Sequence, residues 1–269
     1  MSLFNFNTEE MLTFFAVLVR ISCLVALLPF FGDKVIPAPV KILLSLAISV
    51  CLFPALVAQG IVKPGLALVW SQTAPGLIGT VVFEGVIGMA LGFTARITFD
   101  SIQIGADFIG NLMGLSTANQ FDPFYETQTQ VIAQFQMAIA MLLFLAIDGH
   151  HILLQAMIDS FRLIAIGEAT PFSGPMVEQM TSITGEALKV GLQIAAPMVV
   201  TSFAINVVYG VLARAMPQLN ILVISFSISA VVGFFVMFFS IGQFHEVTSS
   251  AFSRLGGHLT DVMRAMGHR

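Results

Sequence analysis

Six apolar segments constrain the fold of this chain more than any other feature. They span residues 11–30, 40–58, 66–95, 131–147, 186–213 and 219–241. A helix that crosses a hydrocarbon core needs about 20 apolar residues. Only 10% of the residues are charged, whereas soluble domains carry about 25%. We therefore predict an all-α membrane-type protein, in which about six long apolar helices form hairpins broken by proline and glycine.

Charge and motif content exclude several classes of function. With 11 Lys and Arg residues and a net charge of -4, the chain offers no basic patch for nucleic acid. No phosphate-binding loop, nucleophile elbow or dinucleotide fingerprint occurs, so we expect neither an enzyme nor a cofactor. Cys23 and Cys51 lie in apolar runs and predict no disulfide. Because no Lys or Arg precedes Arg20, we expect the first apolar segment to be retained rather than cleaved.

Charged residues within apolar segments are candidates for buried contacts in an assembly: Arg20, Glu84, Arg96, Lys189 and Arg214. A central arginine costs about 2.5 to 3.5 kcal/mol on insertion scales, so Arg20 should face protein or water. Backbone carbonyls or a neighbouring subunit could satisfy it, and a direct transport role is the alternative. Glu84 and Arg96 lie about 18 Å apart along a helix. We therefore hypothesise that Glu84 pairs with Arg20 or with another chain, and that charge reversal at both positions restores assembly.

Glycine is frequent in the third apolar segment. Gly88 and Gly92 have the small-xxx-small spacing that lets two helices approach closely. This spacing predicts contact with protein more than with lipid.

Residues 105–122 differ from both apolar halves of the chain, 11–95 and 131–241. This central segment mixes glycines and amides with scattered Phe, Leu and Met. Irregular backbone at membrane depth is tolerated only inside protein or beside an aqueous cavity. We interpret the segment as one that lines or blocks a passage, and a buried turn whose glycines only permit packing is the alternative.

Two other patterns predict ordinary structure. The run Asp148-Gly149-His150-His151 has no further metal-ligand motif to support it, which favours a turn at a helix end over a metal site. Residues 244–266 place apolar side chains at steps of three or four, and Arg254, Asp261 and Arg264 lie opposite them. This period predicts an amphipathic C-terminal helix that docks on protein.

The distribution of basic residues does not orient the helices. In a simple serpentine arrangement the connectors on one side carry four Lys or Arg residues and those on the other side carry five. The positive-inside rule therefore assigns no orientation to the helices. We take this as an indication that the helices do not form a conventional serpentine in the bilayer.

Six stretches follow one another in an order and at spacings typical of one family. They are the Arg20 helix ending in Leu28–Asp33, Val35–Val40, Phe83–Phe93, Gly110–Asp122, Asp148–His150 and Ala213–Asn220. On these residues the chain resembles the FliR family of flagellar biosynthesis proteins, the counterpart of the SctT export-gate subunits of virulence type III secretion systems. The resemblance covers nearly the whole chain, so we expect one gate domain over residues 1–269.

The resemblance implies a core subunit of the flagellar export gate in the bacterial inner membrane and basal body. FliP-type and FliQ-type subunits would complete a closed helical cone, part of it above the membrane plane, and an FlhB-type protein would wrap its mouth. Unfolded flagellar subunits would pass through. The central segment would be the pore plug, with these residues as candidates: Gly105, Phe108, Gly110, Met113, Gly114, Ser116 and Phe121.

Two other functions stay open at this point. A stand-alone transporter or channel subunit for a small solute would use Arg20 and Glu84, although the chain has no inverted repeat of broken helices. An intramembrane enzyme would use Asp148, His150 and His151. Co-purification with gate subunits separates the gate from the transporter, and bound metal would indicate the enzyme.

Overall fold

The fold, a computed structural model, is described for residues 7–28, 37–114, 131–167, 174–218 and 221–267. Most of these residues are helical and none of them lies in a strand, which confirms the all-α prediction. The helices are α1 (Thr8–Leu27), α2 (Ala38–Ala58), α3 (Ala67–Ser71), α4 (Ala74–Leu112), α5 (Val131–Ala146), α6 (Gly149–Leu163), α7 (Gly174–Ala215), α8 (Ile221–Phe239) and α9 (Ile241–Met266). A 3₁₀ turn, Pro64–Leu66, precedes α3.

Four of these helices are long and apolar enough to span a membrane: α1, α2, α4 and α7. Two consecutive pairs, α5 with α6 and α8 with α9, each qualify as one bent span. The described chain thus has four to six candidate spans, in agreement with the six apolar segments of the sequence.

The chain divides into two compact units. Unit 1 comprises Met1–Ile97, His150–Thr184 and Arg254–Arg269, and unit 2 comprises Thr98–Gly149 and Gly185–Ser253. Helix α4 contributes its first part to unit 1 and its last part to unit 2. The single gate domain over residues 1–269 stays a prediction about the assembled protein.

Unit 1 is built on the packing of α1 against α2. Helix α1 buries Val17, Ile21 and Leu24, at the steps of four and three that place side chains on one helical face. The Phe14 ring meets the Phe53 ring of α2 edge to face, with centroids 5.5 Å apart. The acidic residues Glu9 and Glu10 lie in the first turn of α1, where the helix dipole favours negative charge.

Unit 2 has an aromatic cluster at its core. Phe99 of α4, Phe144 of α5 and Phe252 of α9 are each buried. Their ring centroids lie 5.1 Å (Phe99 to Phe144), 4.8 Å (Phe99 to Phe252) and 5.1 Å (Phe144 to Phe252) apart. These separations are typical of favourable aromatic pairs, so the cluster joins three helices that are distant in sequence.

Several helix boundaries differ from those that the sequence suggested. Helix α4 continues to Leu112, so residues 105–112 of the central segment are helical. Helix α7 begins at Gly174, well before the apolar segment 186–213, and α2 contains Pro54 without ending there. A glycine inside a helix costs only about 1 kcal/mol relative to alanine, so Gly105 and Gly110 do not end α4.

Two local predictions are confirmed. Helix α9 buries its apolar face, including Leu255, Leu259 and Val262, and exposes Arg254 and Asp261. Asp148 lies in the turn between α5 and α6 with a φ of 57°, a left-handed conformation that aspartate tolerates better than most residues.

Candidate functional site

Arg20 and Glu84 form a buried ion pair inside unit 1. The Arg20 Nε atom on α1 donates a hydrogen bond to Glu84 Oε2 on α4 over 2.6 Å. The two side chains are 1% and 0% exposed. The hypothesis that Glu84 pairs with Arg20 is therefore confirmed.

The remaining donors of Arg20 bind the C-terminal end of α6. Nη1 donates to the Ser160 carbonyl over 2.8 Å, and Nη1 and Nη2 donate to the Ile164 carbonyl over 3.2 and 3.1 Å. The Ser160 carbonyl also accepts the Ile164 backbone N–H over 3.0 Å. Carbonyls at the C-terminal end of a helix carry partial negative charge, which a cation stabilises. One guanidinium thus joins α1, α4 and the end of α6.

An aromatic ring completes the surroundings of Arg20. The guanidinium carbon lies 4.2 Å from the centroid of the Phe161 ring, within the range of a cation–π contact. Phe161 belongs to α6, on the turn that supplies the Ser160 carbonyl. The ring and the carbonyls therefore hold the same cation from one helix end.

Glycines bring α1 and α4 close enough for this pairing. A Cβ atom at Gly88 would collide with the Arg20 carbonyl oxygen, and one at Gly92 would lie 2.8 Å from the Leu24 carbonyl oxygen. Only glycine leaves room for a backbone at these distances. The close packing predicted from the Gly88 and Gly92 spacing is confirmed.

The arrangement acts as a clamp of three helices. Removing one partner of a buried ion pair leaves an uncompensated charge and costs about 3–5 kcal/mol. Within the described residues, Glu84 Oε1 is buried without a hydrogen-bond partner, so the pair depends on its single short contact. Backbone carbonyls accept hydrogen bonds from the Arg20 donors that Glu84 does not use. This agrees with the interpretation that backbone carbonyls satisfy Arg20.

The other charges proposed as buried do not join this clamp. Arg96 is half-buried on α4, while Lys189 and Arg214 are exposed on α7. Their part in assembly stays a prediction.

Packing within unit 2 accounts for several residues of the proposed plug. A Cβ atom at Gly105 would lie 2.8 Å from the Gly191 carbonyl oxygen, so Gly105 permits a close crossing of α4 and α7. Met113 is fully buried. A Cβ atom at Gly233 of α8 would collide with the Met113 side chain, so Gly233 leaves room for it.

The end of α4 explains another plug candidate. Gly114 has a φ of 78° and donates its N–H to the Asn111 carbonyl over 3.0 Å. This is the left-handed residue that commonly ends a helix. Gly110 is buried and Phe108 is exposed, while Ser116 and Phe121 lie outside the described residues. The plug assignment stays a prediction.

Sequence reasoning found the two charges of the clamp but missed their other partners. Ser160 and Ile164 act through backbone carbonyls, which leave no signal in residue type. Phe161 is one of 25 phenylalanines, and nothing in its local sequence marks its position against Arg20. Only the position of these residues at a helix end, where carbonyls carry partial negative charge, could have suggested them.

The sequence similarity to known proteins extends over nearly the whole chain. A flagellar biosynthetic protein FliR of Pectobacterium carotovorum is 30% identical over 263 residues, which cover 96% of this chain and 97% of that protein. Those of Escherichia coli K12 and Bacillus subtilis 168 are each 28% identical, over 250 and 244 residues. The E. coli match covers 93% of this chain and 92% of that protein, and the B. subtilis match covers 89% and 90%.

The family profile agrees with these individual similarities. The sequence pattern described as bacterial export proteins, family 1, matches residues 11–255. This match includes Arg20, Glu84 and the α6 carbonyls that complete the clamp. The chain therefore belongs to the bacterial export proteins of family 1.

Proposed function

We propose that this chain is a core subunit of the flagellar protein-export gate. The observation that carries the proposal is the similarity to FliR proteins over about nine-tenths of both sequences. A match of this extent includes the buried clamp and the glycine contacts, so it concerns most of the chain rather than one shared segment.

The surface of unit 2 supports a role in an assembly. The C-terminal half of α7 exposes Val200 and Phe203, and α8 exposes Phe235 and Phe239. Large exposed apolar surfaces are typical of contact with protein or lipid. In the proposed gate these helices pack against FliP-type and FliQ-type subunits, and an FlhB-type protein joins the complex.

The proposed gate lies in the bacterial inner membrane within the flagellar basal body. It acts as a conduit for unfolded flagellar subunits and catalyses no reaction. The four long apolar helices and two bent pairs support a membrane location. The clamp of Arg20, Glu84 and the end of α6 supports a rigid frame, which a conduit needs if neighbouring subunits are to close around it.

Native mass spectrometry of the detergent-extracted protein tests the proposal. The chain is co-expressed with candidate FliP-type and FliQ-type subunits, and the mass of the intact assembly is measured. The expected result is a discrete hetero-oligomer that contains this chain. A lone chain or homodimer that binds a small solute would overturn the proposal in favour of a transporter.

A secretion assay tests the gate activity separately from assembly. In cells that lack the corresponding subunit, this chain should restore export of flagellar proteins into the medium. The control is the same chain with Glu84→Ala, which breaks the clamp. Assembly without any restored export would contradict the conduit role while leaving the structural role in place.

A further inference from the structure

A cavity of about 380 Å³ opens on the surface of unit 1. Its wall is formed by α1, the connector between α2 and α3, α3 itself, and the end of α6 with the residues that follow it. All of the lining residues lie in the same compact unit. Pockets for small molecules have volumes of about 300 to 1,000 Å³, so the cavity is large enough for such a ligand.

The cavity lies at one end of two candidate membrane spans. Thr13 of its wall is in the second turn of α1, and Gln59 directly follows the last residue of α2. Trp70, the single tryptophan of the chain, is half-buried in the same wall. Tryptophan is enriched where a membrane meets water. With α1 and α2 across a bilayer, the cavity would open at the depth of the lipid headgroups.

Arg162 on α6 supplies hydrogen-bond donors to the cavity. Its side chain is 51% exposed. Nη1 donates to Asp159 Oδ1 over 3.0 Å, and Nη2 donates to Gln59 Oε1 over 3.2 Å. A guanidinium has five N–H groups, so these two contacts leave donors that an occupant of the cavity can reach.

Lys63 adds a second cation to the wall, and it is exposed. None of the described residues that line the cavity is acidic. Glu9 lies close by, since its Oε2 atom would be 3.9 Å from a Cβ atom at Gly65, but it is not part of the lining. The described wall therefore carries net positive charge, which favours an anionic occupant.

Apolar side chains lie beside the two cations. Leu66 lines the cavity and is 49% exposed, and Leu68 and Val69 of α3 are 47% and 71% exposed. A soluble phosphate would leave this apolar surface uncovered, whereas acyl chains would remove it from water. Basic pockets between membrane helices bind phospholipid headgroups. The combination of charge and apolar surface thus fits an anionic lipid.

We propose that this cavity binds the phosphate of an anionic phospholipid through Lys63 and Arg162, with the acyl chains against the exposed apolar side chains of Leu66, Leu68 and Val69. The inference goes beyond the proposed function. It rests on the membrane location but not on export, so the purified chain tests it without other subunits.

Fluorescence of Trp70 measures the binding in the full-length chain. Phosphatidylglycerol and phosphatidylcholine with identical brominated acyl chains are added separately to the protein in a neutral detergent, because bromine quenches tryptophan at short range. The mole fraction of lipid that gives half of the quenching is determined. Phosphatidylcholine has a phosphate but no net charge, so the difference between the two lipids reports the preference for an anion.

The test variant combines Lys63→Gln with Arg162→Gln, and the matched control combines Lys189→Gln with Arg214→Gln. The control removes the same charge from exposed positions outside the cavity lining, so the general attraction to anionic lipid falls equally. Both variants keep Trp70. Exposed ion pairs contribute little to stability, so loss of the contact with Asp159 should not unfold the chain, and thermal unfolding without lipid checks this. If the double variant unfolds, Lys63→Gln alone replaces it, with Lys189→Gln as its control.

We expect wild type and control to be half-quenched at a roughly tenfold lower mole fraction of phosphatidylglycerol than of phosphatidylcholine, and the test variant to lose most of this preference. No preference in wild type, or equal losses in the two variants, would overturn the inference. Displacement of the brominated lipid by equimolar inorganic phosphate would indicate a site for free phosphate and would also overturn it.

A photo-crosslinking amino acid at Leu66 identifies the occupant in cells that express all gate subunits. The expected adduct is phosphatidylglycerol, in excess over its share of the membrane lipid. Adducts only with a peptide of another subunit, or only with this chain's own residues 168–173, would overturn the inference. If the chain never joins a hetero-oligomer, the proposed function fails, while the Trp70 measurement still decides the lipid site.

Discussion

Arg20 Nε lies 2.6 Å from Glu84 Oε2, across 64 positions of the chain, and the same guanidinium binds the Ile164 carbonyl at the end of α6. The pair therefore does more than neutralise two charges. Because Arg20 offers donors in a rigid planar fork, it holds a carboxylate and a helix end at once. Loss of either charge should loosen all three helices of the clamp.

Arg20→Leu and Glu84→Leu should each destabilise the protein by about 3–5 kcal/mol, because each leaves one buried charge unpaired. The double variant should recover much of this loss, since buried ion pairs are often replaced by apolar residues at little cost. Recovery should be incomplete, because the hydrogen bonds that Arg20 donates to the Ser160 and Ile164 carbonyls are lost. Chemical unfolding of the purified protein in detergent gives the four free energies, and additive losses would contradict a direct coupling.

The structure changes the outcome expected for charge reversal. With Arg20→Glu and Glu84→Arg combined, the new carboxylate would face the Ser160 and Ile164 carbonyls, which are acceptors. We therefore expect the reversed pair to assemble no better than the single variants, in contrast to the rescue that the sequence suggested. Full rescue in a co-purification assay would show that the helix-end contacts contribute little.

Gly88→Ala should lower the free energy of unfolding by about 1–3 kcal/mol, because the added methyl group meets the Arg20 carbonyl and the helices must move apart. The control is Gly79→Ala on the same helix, where nothing lies within 4 Å of the added atom. Alanine favours the helix there, so stability should rise by up to about 1 kcal/mol. Thermal unfolding of both variants would show opposite shifts, and shifts of the same sign would contradict the crossing at Gly88.

Phe252→Ala should cost about 3–5 kcal/mol, because it empties the centre of the aromatic cluster with Phe99 and Phe144. Phe203→Ala provides the control, since that ring is largely exposed on α7 and its removal leaves no cavity. Denaturant unfolding of the purified chain measures both. Similar losses for the two variants would show that the cluster is not the core of unit 2.

Substitutions at Gly114 separate a helix-capping role from a plug role. Gly114→Val places a β-branched residue at a φ of 78° and should both destabilise the end of α4 and alter export or ion leakage. Gly114→Asn tolerates the left-handed conformation and should preserve stability. If the asparagine variant also exports and seals like wild type, capping is the only role of Gly114.

Deletion of residues 115–121 tests the plug without altering the capping residue. We expect the gate to assemble and the membrane to become permeable to ions, measured as a loss of membrane potential. The control is Gly79→Ala, at a position outside the proposed plug where nothing lies within 4 Å of the added atom. An assembled deletion variant that seals and secretes normally would refute the plug assignment.

The local sequence predicted a structural feature correctly where that feature depends only on residues close together in the chain. The steps of three and four in residues 244–266 predict the buried face of α9 because side-chain periodicity depends only on the helix itself. Likewise, Gly88 and Gly92 predict a close helix crossing, although not which helix lies opposite. Break signals were weaker guides, since α4 continues beyond Gly105 and α2 continues through Pro54.

By itself the sequence determined the all-helical class, the apolar segments and the need of Arg20 and Glu84 for buried partners. These properties follow from composition and from the cost of placing charge or open backbone in an apolar medium. Only the tertiary structure decided that α6 supplies carbonyls to Arg20 and that the Phe161 ring covers the same guanidinium. Backbone acceptors have no residue identity, and the partner of a ring depends on how the helices pack, so neither can be read from a single segment of chain.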